Sequence, residues 1–277
     1  MEDYLGYKTI QVDDTELAEL YSDISYNRYE CLVNEYLVVT NASGAVVDKF
    51  KWTGKSYAHV SFKNISNDYT GKISPRNLQQ ELAFEMLQDQ DVTVKVLTGR
   101  FGTGKDFIMI SHALDLIMKK HKYDKIVWIR NNVEVKNSNP IGFLPGSLQD
   151  KLAPYAMIIA DHVGGMSGFE TLVGREIIEL QHLGLVRGRD IKNAIIICSE
   201  AENLTKEHVQ LLLGRVGQGS CLWINGDYKQ VDKAVFATNN GLLRAIDKLK
   251  GHKLFGYVRL DKIERSETAS MADLLDD

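Results

Sequence analysis

Val94-Lys95-Val96-Leu97-Thr98-Gly99-Arg100-Phe101-Gly102-Thr103-Gly104-Lys105-Asp106 decides the fold. Residues 94–97 read as a short buried strand, and Phe107 to Lys120 repeats apolar side chains at helical spacing. Between them, Gly99 to Lys105 completes the pattern G-x-x-x-x-G-K of a phosphate-binding loop. The glycines permit backbone conformations closed to residues with a Cβ, so that successive N–H groups of Gly99, Arg100, Phe101, Gly102, Thr103 and Gly104 can turn inward around phosphate oxygens. The following helix adds the positive end of its dipole, and Lys105 a compact cation for the β- and γ-phosphates. One position departs: Asp106 stands where a Ser or Thr hydroxyl usually ligates magnesium.

Around this loop the chain has 277 residues, 44% of them hydrophobic and 25% charged, which is the texture of a globular protein with a sizeable core. A net charge of −4 argues against a protein that coats nucleic acid through general basicity, while leaving room for a local basic patch. Cys31, Cys198 and Cys221 are odd in number and far apart, without metal-ligand spacing, and fit a reducing cytoplasm. The N-terminus lacks the basic and apolar regions of a signal peptide, and no run reaches the roughly 18 apolar residues of a membrane span.

Two regions are expected, at 1–71 and 72–277. In the first, Asp13 or Asp14 caps a helix carrying Leu17, Leu20, Tyr21 and Ile24 on one face, and Glu35–Thr40 and Ala45–Phe50 flank the turn Asn41-Ala42-Ser43-Gly44 as a hairpin. A third strand is expected in Tyr57–Phe62, and Asn67-Asp68-Tyr69-Thr70-Gly71 reads as a polar exit. From Pro75 onward, the β-rich runs Ile126–Ile129, Ala194–Cys198 and Leu222–Ile224 alternate with helical or loop stretches, which predicts an α/β domain with a parallel sheet.

Hydrolysis of a bound nucleotide needs a second acidic strand end, and Ala194-Ile195-Ile196-Ile197-Cys198-Ser199-Glu200 nominates Glu200 as the base that orients water. Ser199 stands where such enzymes usually carry the metal-bound Asp. The usual pair, hydroxyl on the loop and carboxylate on the strand, is inverted in Asp106 and Ser199. Exchange of the two would keep a magnesium shell of one carboxylate and one hydroxyl, on the expectation that the two strands are neighbours. Loss is the competing reading: a carboxylate beside phosphates adds repulsion of several kcal/mol at low effective dielectric and abolishes hydrolysis. Gln230, in the turn Gly226-Asp227-Tyr228-Lys229-Gln230, is a candidate γ-phosphate sensor. Arg265 is a candidate donor to the developing phosphate charge, with a surface ion pair as the alternative.

These residues give the chain its resemblance to the PhoH family of P-loop ATPases, over about residues 72 to 277. Pro75-Arg76-Asn77-Leu78-Gln79-Gln80 resembles the family's P-x-N-x-x-Q element, which implies that Gln80 reads adenine. Ile141 to Lys151 resembles G-F-L-P-G-D-L-x-x-K with Ser147 for Asp, and Val186-Arg187-Gly188-Arg189 resembles the R-G-R that precedes the second acidic strand. Ser199 to Asn203 resembles D-E-A-Q-N, Gly226 to Asp232 resembles G-D-x-x-Q-x-D, and Arg265-Ser266 matches the closing R-S. Departures at Asp106, Asn131, Ser147, Ser199 and Glu202 fall inside motifs.

The resemblance implies a RecA/helicase-like parallel sheet flanked by helices, with ATP and Mg²⁺ as ligands and a cytoplasmic location. It further implies self-assembly into hexameric rings, with Arg265 acting on a neighbour's nucleotide, and RNA-related work, with single-stranded RNA as a partner, linked by name to phosphate starvation. The longer branch of the family carries a PIN nuclease domain ahead of a small β-rich linker; this chain resembles linker plus ATPase, a short form found among bacteriophages and bacteria. Magnesium-dependent ATP hydrolysis is the expected activity. The alternatives are a nucleotide-gated assembly protein without turnover and an RNA motor that would need a second core in trans.

Overall fold

The computed structural model describes residues 3–131, 156–227, 229–231 and 233–264. The Ile141–Lys151 signature with Ser147, and Tyr228, Asp232, Arg265 and Ser266, lie outside them.

The strands are β1 (Tyr7–Gln11), β2 (Tyr36–Thr40), β3 (Val46–Trp52), β4 (Tyr57–His59), β5 (Ile65–Asn67), β6 (Gly71–Ile73), β7 (Val94–Gly99), β8 (Lys125–Arg130), β9 (Ile178–His182), β10 (Ala194–Ser199), β11 (Cys221–Gly226) and β12 (Phe255–Leu260). The helices are α1 (Asp14–Ser22), α2 (Leu78–Gln88), α3 (Lys105–Met118), α4 (Gly165–Gly174), α5 (Lys206–Leu213), α6 (Ala234–Thr238) and α7 (Gly241–Leu249). Residues 156–160 are also helical.

Six parallel strands form the main sheet in the order β12-β7-β11-β10-β8-β9. Successive side chains of a strand point to opposite faces, and both faces here are covered. Leu97, Ile195, Ile197, Trp223 and Val258 pack with α2 and α3 on one face. Val96, Ile196, Cys198, Ile224 and Tyr257 pack with α5 and α7 on the other. This double burial is why β7, β10 and β11 read as near-continuous apolar runs.

The order corrects one expectation. The loop strand β7 and the Glu200 strand β10 are not neighbours, because β11 pairs with both and separates them. Asp106 and Glu200, which follow these two strands, therefore line one cleft together with Asn225 at the end of β11.

The N-terminal region builds a second sheet, β1-β2-β3-β4, in which β2–β3 is the expected hairpin and β1 pairs in parallel with β2. Asp13 caps α1 in a capping box with Glu16. The expected polar exit is instead the turn of the hairpin β5–β6. Asn67 is buried there, its Oδ1 accepting from the Tyr69 and Thr70 N–H groups and its Nδ2 donating to the Ser111 carbonyl of α3. An Asx turn and a tertiary bond thus hold a segment whose composition alone looks like a linker.

The second sheet is bonded to α2. Lys51 Nζ donates to Glu85 Oε1 (2.5 Å) and Asp89 Oδ2 (2.7 Å), Tyr36 OH donates to Glu85 Oε2 (2.5 Å), and Lys49 pairs with Glu81. It also meets the main sheet at the edge strand β12: Leu5 O accepts from Arg259 N–H, and Gly6 O accepts from Tyr36 N–H. Gly6 has φ +82°, and a Cβ there would lie 1.8 Å from the Tyr257 carbonyl oxygen, so only glycine fits. Beneath the sheet, the buried Lys95 donates to the Leu87 and Asp89 carbonyls at the end of α2, and burial pushes its ammonium down to about 8.

Candidate functional site

The carboxyl ends of β7, β10 and β11 open into a cleft of about 490 Å³, the position at which open α/β sheets bind ligands. The loop after β7 forms one wall. Gly99, Gly102 and Gly104 have φ of +151°, +79° and +88°, which explains the glycine at each. Gly104 caps α3 without a side-chain hydrogen bond, so the helix N-terminus is left for a ligand to satisfy. Lys105 Nζ donates to the Gly99 (2.6 Å) and Arg100 (2.8 Å) carbonyls, which holds the ammonium over the loop, and Thr103 Oγ1 donates to Arg100 O. Arg100 belongs to the same loop, beside Phe101, which lines the cleft.

Gly99 is also the tightest point of the loop. A Cβ at this residue would lie 2.1 Å from the Leu260 carbonyl oxygen of β12, in a backbone region that L-residues avoid. Gly99→Ala is therefore expected to destabilise the fold by about 2 kcal/mol or more, read as a lowered midpoint in urea. An unchanged midpoint would contradict this account of the loop.

The opposite wall is acidic. Glu200 follows β10 in the left-handed region (φ 52°, ψ 46°); Glu30, Asn34, His121, Glu176 and Asn193 also have positive φ, and Glu200 alone of these lines the cleft. Its carboxylate pairs with Arg130 of β8, which is in register with Ser199. Glu202 is 7% exposed, and its Oε2 accepts from Asp227 N–H at 2.9 Å. Burial, with the charge of Glu200 adding to it, pushes the Glu202 carboxyl up to about 7. Gly226 packs closely beside it, since a Cβ there would lie 2.5 Å from Glu202 Oε2 and displace that carboxylate. Gln230 lines the same cleft, its N–H bonded to Asp227 O.

Asp106 lies in the first turn of α3, and its Oδ1 accepts from Asn225 Nδ2 at the end of β11 (2.9 Å). Ser199 Oγ is buried with no hydrogen-bond partner among the described residues, as is Asp227 Oδ2. A buried orphan of this kind costs about 1–3 kcal/mol unless something satisfies it. Glu200 and Glu202 form the wall of the cleft; Ser199 is not among its lining residues. The donors on this side are all oxygens, the chemistry that hard cations such as Mg²⁺ take.

Gln80 closes the third side. Its Nε2 donates to the Thr103 carbonyl of the loop (3.2 Å), and its Oε1 accepts from Arg76 N–H (2.9 Å). The segment leaving β12 crosses here as well: Glu264 N–H donates to Gly102 O, and Asn77 Nδ2 donates to Glu264 Oε1 (2.7 Å). Of the described candidates from the sequence, Gln80, Phe101, Gly102, Gly104, Lys105, Asp106, Glu200 and Gln230 line the cleft, while Gly99, Arg100, Thr103 and Ser199 do not, and the last described residue before Arg265 is bonded to the loop.

A family model described as PhoH-like protein matches residues 72–273. The chain belongs to the PhoH family. Protein PhoH2 of Bacillus subtilis (strain 168) is 32% identical over 99% of this chain and 65% of its own length. Protein PhoH2 of Thermobispora bispora is 29% identical over 71% of this chain and 45% of its own length, and a PhoH-like protein of B. subtilis is 35% identical over 60% and 52%. The chain thus spans about half to two thirds of the length of these relatives. PhoH proteins are a nucleotide-binding P-loop family, and the six-stranded parallel sheet flanked by helices is the corresponding α/β fold.

Sequence reasoning missed several residues of the cleft. Asn225 had a signal, a carboxamide ending the otherwise apolar run Cys221-Leu222-Trp223-Ile224. Phe107 and His162, whose rings lie 5.6 Å apart on one wall, had none, since helical periodicity assigns Phe107 to packing. The three cysteines are free and buried, no group of three or more His, Cys, Asp or Glu among the described residues is placed to hold a metal ion, and no described helix is long and apolar enough to cross a membrane.

Proposed function

We propose that this chain binds ATP with a divalent cation in the cleft and hydrolyses it. The observation that carries the reading is the placement of Lys105 with its open helix N-terminus and of Glu200 on facing walls of one cleft. The loop amides and Lys105 bind the phosphates. Glu200 orients water for in-line attack on the γ-phosphate and takes up its proton, and Gln230 and Arg265 are assigned to the developing charge. Asp106, which lines the cleft, is the carboxylate assigned to Mg²⁺; Ser199 does not line it and is not assigned as a ligand in this reading. The cation would supply Lewis-acid neutralisation of phosphate charge.

Replacing Lys105 by Ala removes two charge-assisted bonds to phosphate. Nucleotide affinity is expected to fall by about 2 kcal/mol, roughly 30-fold, in a fluorescent-ATP titration. Equal affinities in the two proteins would remove the loop from the site.

A second reading has its own support. Arg130 forms an ion pair with the Glu200 carboxylate that the first reading assigns to water, and a base engaged in this way fits a protein that binds ATP to assemble and never turns it over. Phosphate release measured with and without single-stranded RNA separates the two. Ring assembly, six copies on the resemblance, belongs to both, and light scattering with and without nucleotide tests it.

A further inference from the structure

Asn225 is 2% exposed, and the fold leaves it little freedom. It sits in register with Leu97 while Gly226 pairs with Thr98, so the strand that feeds the phosphate loop also fixes this carboxamide. Its Nδ2 donates to Asp106 Oδ1 at 2.9 Å and lies 3.4 Å from Met109 Sδ, one helical turn further along α3. The carboxamide is thus wedged between β11 and the first turn of α3. Asp106 Oδ2 has no hydrogen bond or ion pair among the described residues.

A carboxylate in this place differs from a hydroxyl in denticity as well as charge. Mg²⁺ keeps near-octahedral geometry at about 2.0–2.1 Å and takes single oxygens, whereas Ca²⁺ accepts about six to eight oxygens at longer range and readily binds both oxygens of one carboxylate. We propose that Asn225 sets the metal selectivity of the nucleotide site: its bond takes one of the two lone-pair sites of Oδ1 and fixes the plane of the Asp106 carboxylate, which disfavours two-oxygen coordination and so favours Mg²⁺ over Ca²⁺. The inference rests on the ATP-binding reading above. With the carboxamide gone, the Asp106 carboxylate turns freely and offers both oxygens. The pair Asp106–Asn225 then reproduces the single oxygen of a serine or threonine with an acidic side chain. Asn225 is a positioning residue, acting on the cation only through Asp106.

The test is a titration of a fluorescent ATP analogue in saturating Mg²⁺ or Ca²⁺, with the ratio of the two affinities as the readout. The wild-type protein binds more tightly with Mg²⁺; the reverse order overturns the proposal without any variant. Asn225→Ala, and Asn225→Val as a strand-compatible second variant, are expected to move the ratio toward Ca²⁺ by roughly tenfold, about 1.4 kcal/mol. In an Asp106→Thr background the same changes leave the ratio within about twofold. An unchanged ratio in both variants, or an equal shift in the Asp106→Thr background, overturns the role of Asn225 while nucleotide binding stands. Failure of the wild-type protein to bind the analogue with either metal overturns the ATP-binding reading and this inference together.

Discussion

Glu200→Gln is expected to cut ATP turnover by roughly 10²–10⁴-fold while leaving the nucleotide dissociation constant within about threefold. The carboxamide has nearly the shape of the carboxylate and still accepts from Arg130, so the wall of the cleft and the left-handed turn at residue 200 are kept. What disappears is the group able to take a proton from attacking water. A structural ion pair predicts a different result, lost stability with turnover following it, so the thermal midpoint is measured alongside phosphate release. A turnover loss below tenfold, with an intact midpoint, would remove Glu200 from the chemistry and leave the cleft a binding site. Lys105→Ala complements this, because it is expected to weaken binding first.

Glu202→Gln is expected to stabilise the protein by up to about 3 kcal/mol above pH 7 and not at all near pH 4. The sign follows from the raised carboxyl: folded near 7, unfolded near 4.5. Below 4.5 both states hold the proton and the contribution is intact. Between 4.5 and 7 the unfolded chain releases it first, so stability falls as pH rises, and above 7 the folded state carries the full cost of a buried charge. The variant keeps an acceptor for Asp227 N–H and adds a donor beside Asp227, whose Oδ2 has none.

His112 works the other way. Burial pushes its imidazole down to about 4 from 6.5, so its contribution is present above 6.5 and is lost as pH falls toward 4. In the wild type the two slopes oppose each other between about 4.5 and 6.5. Urea midpoints at pH 5, 6.5 and 8 are expected to show a flatter profile for the wild type and, for the variant, stability that rises from pH 5 to 6.5. Superimposable profiles would sink the assignment of Glu202.

The loop was legible because its information is local: glycine spacing, a lysine, an apolar strand before and a helix after. Glu200 was legible for the same reason, as an acid ending an apolar run. The contact of Asp106 with Asn225 was not, because it depends on β11 lying between β7 and β10, and strand order is a property of the crossovers rather than of any segment. Strands β9 and β12 escaped for a different cause. Ile178-Glu179-Leu180-Gln181-His182 is half polar, as an edge strand tends to be, and Phe255-Gly256-Tyr257 carries a glycine that weakens a strand pattern. That glycine has a tertiary reason: a Cβ at Gly256 would lie 2.9 Å from Met86 of α2. The turn at Asn67–Gly71 misled because linkers and Asx turns share their composition.

The bond from Arg259 N–H to Leu5 O also bears on solubility. β12 ends the main sheet, and an uncovered edge strand offers its amides to any passing chain as a template for pairing. Leu5 and Gly6 lie against that edge, and the shape of Gly6 lets the backbone come close enough to shield it. A preparation shortened by the first six residues should therefore fold around the same nucleotide cleft yet aggregate through β12.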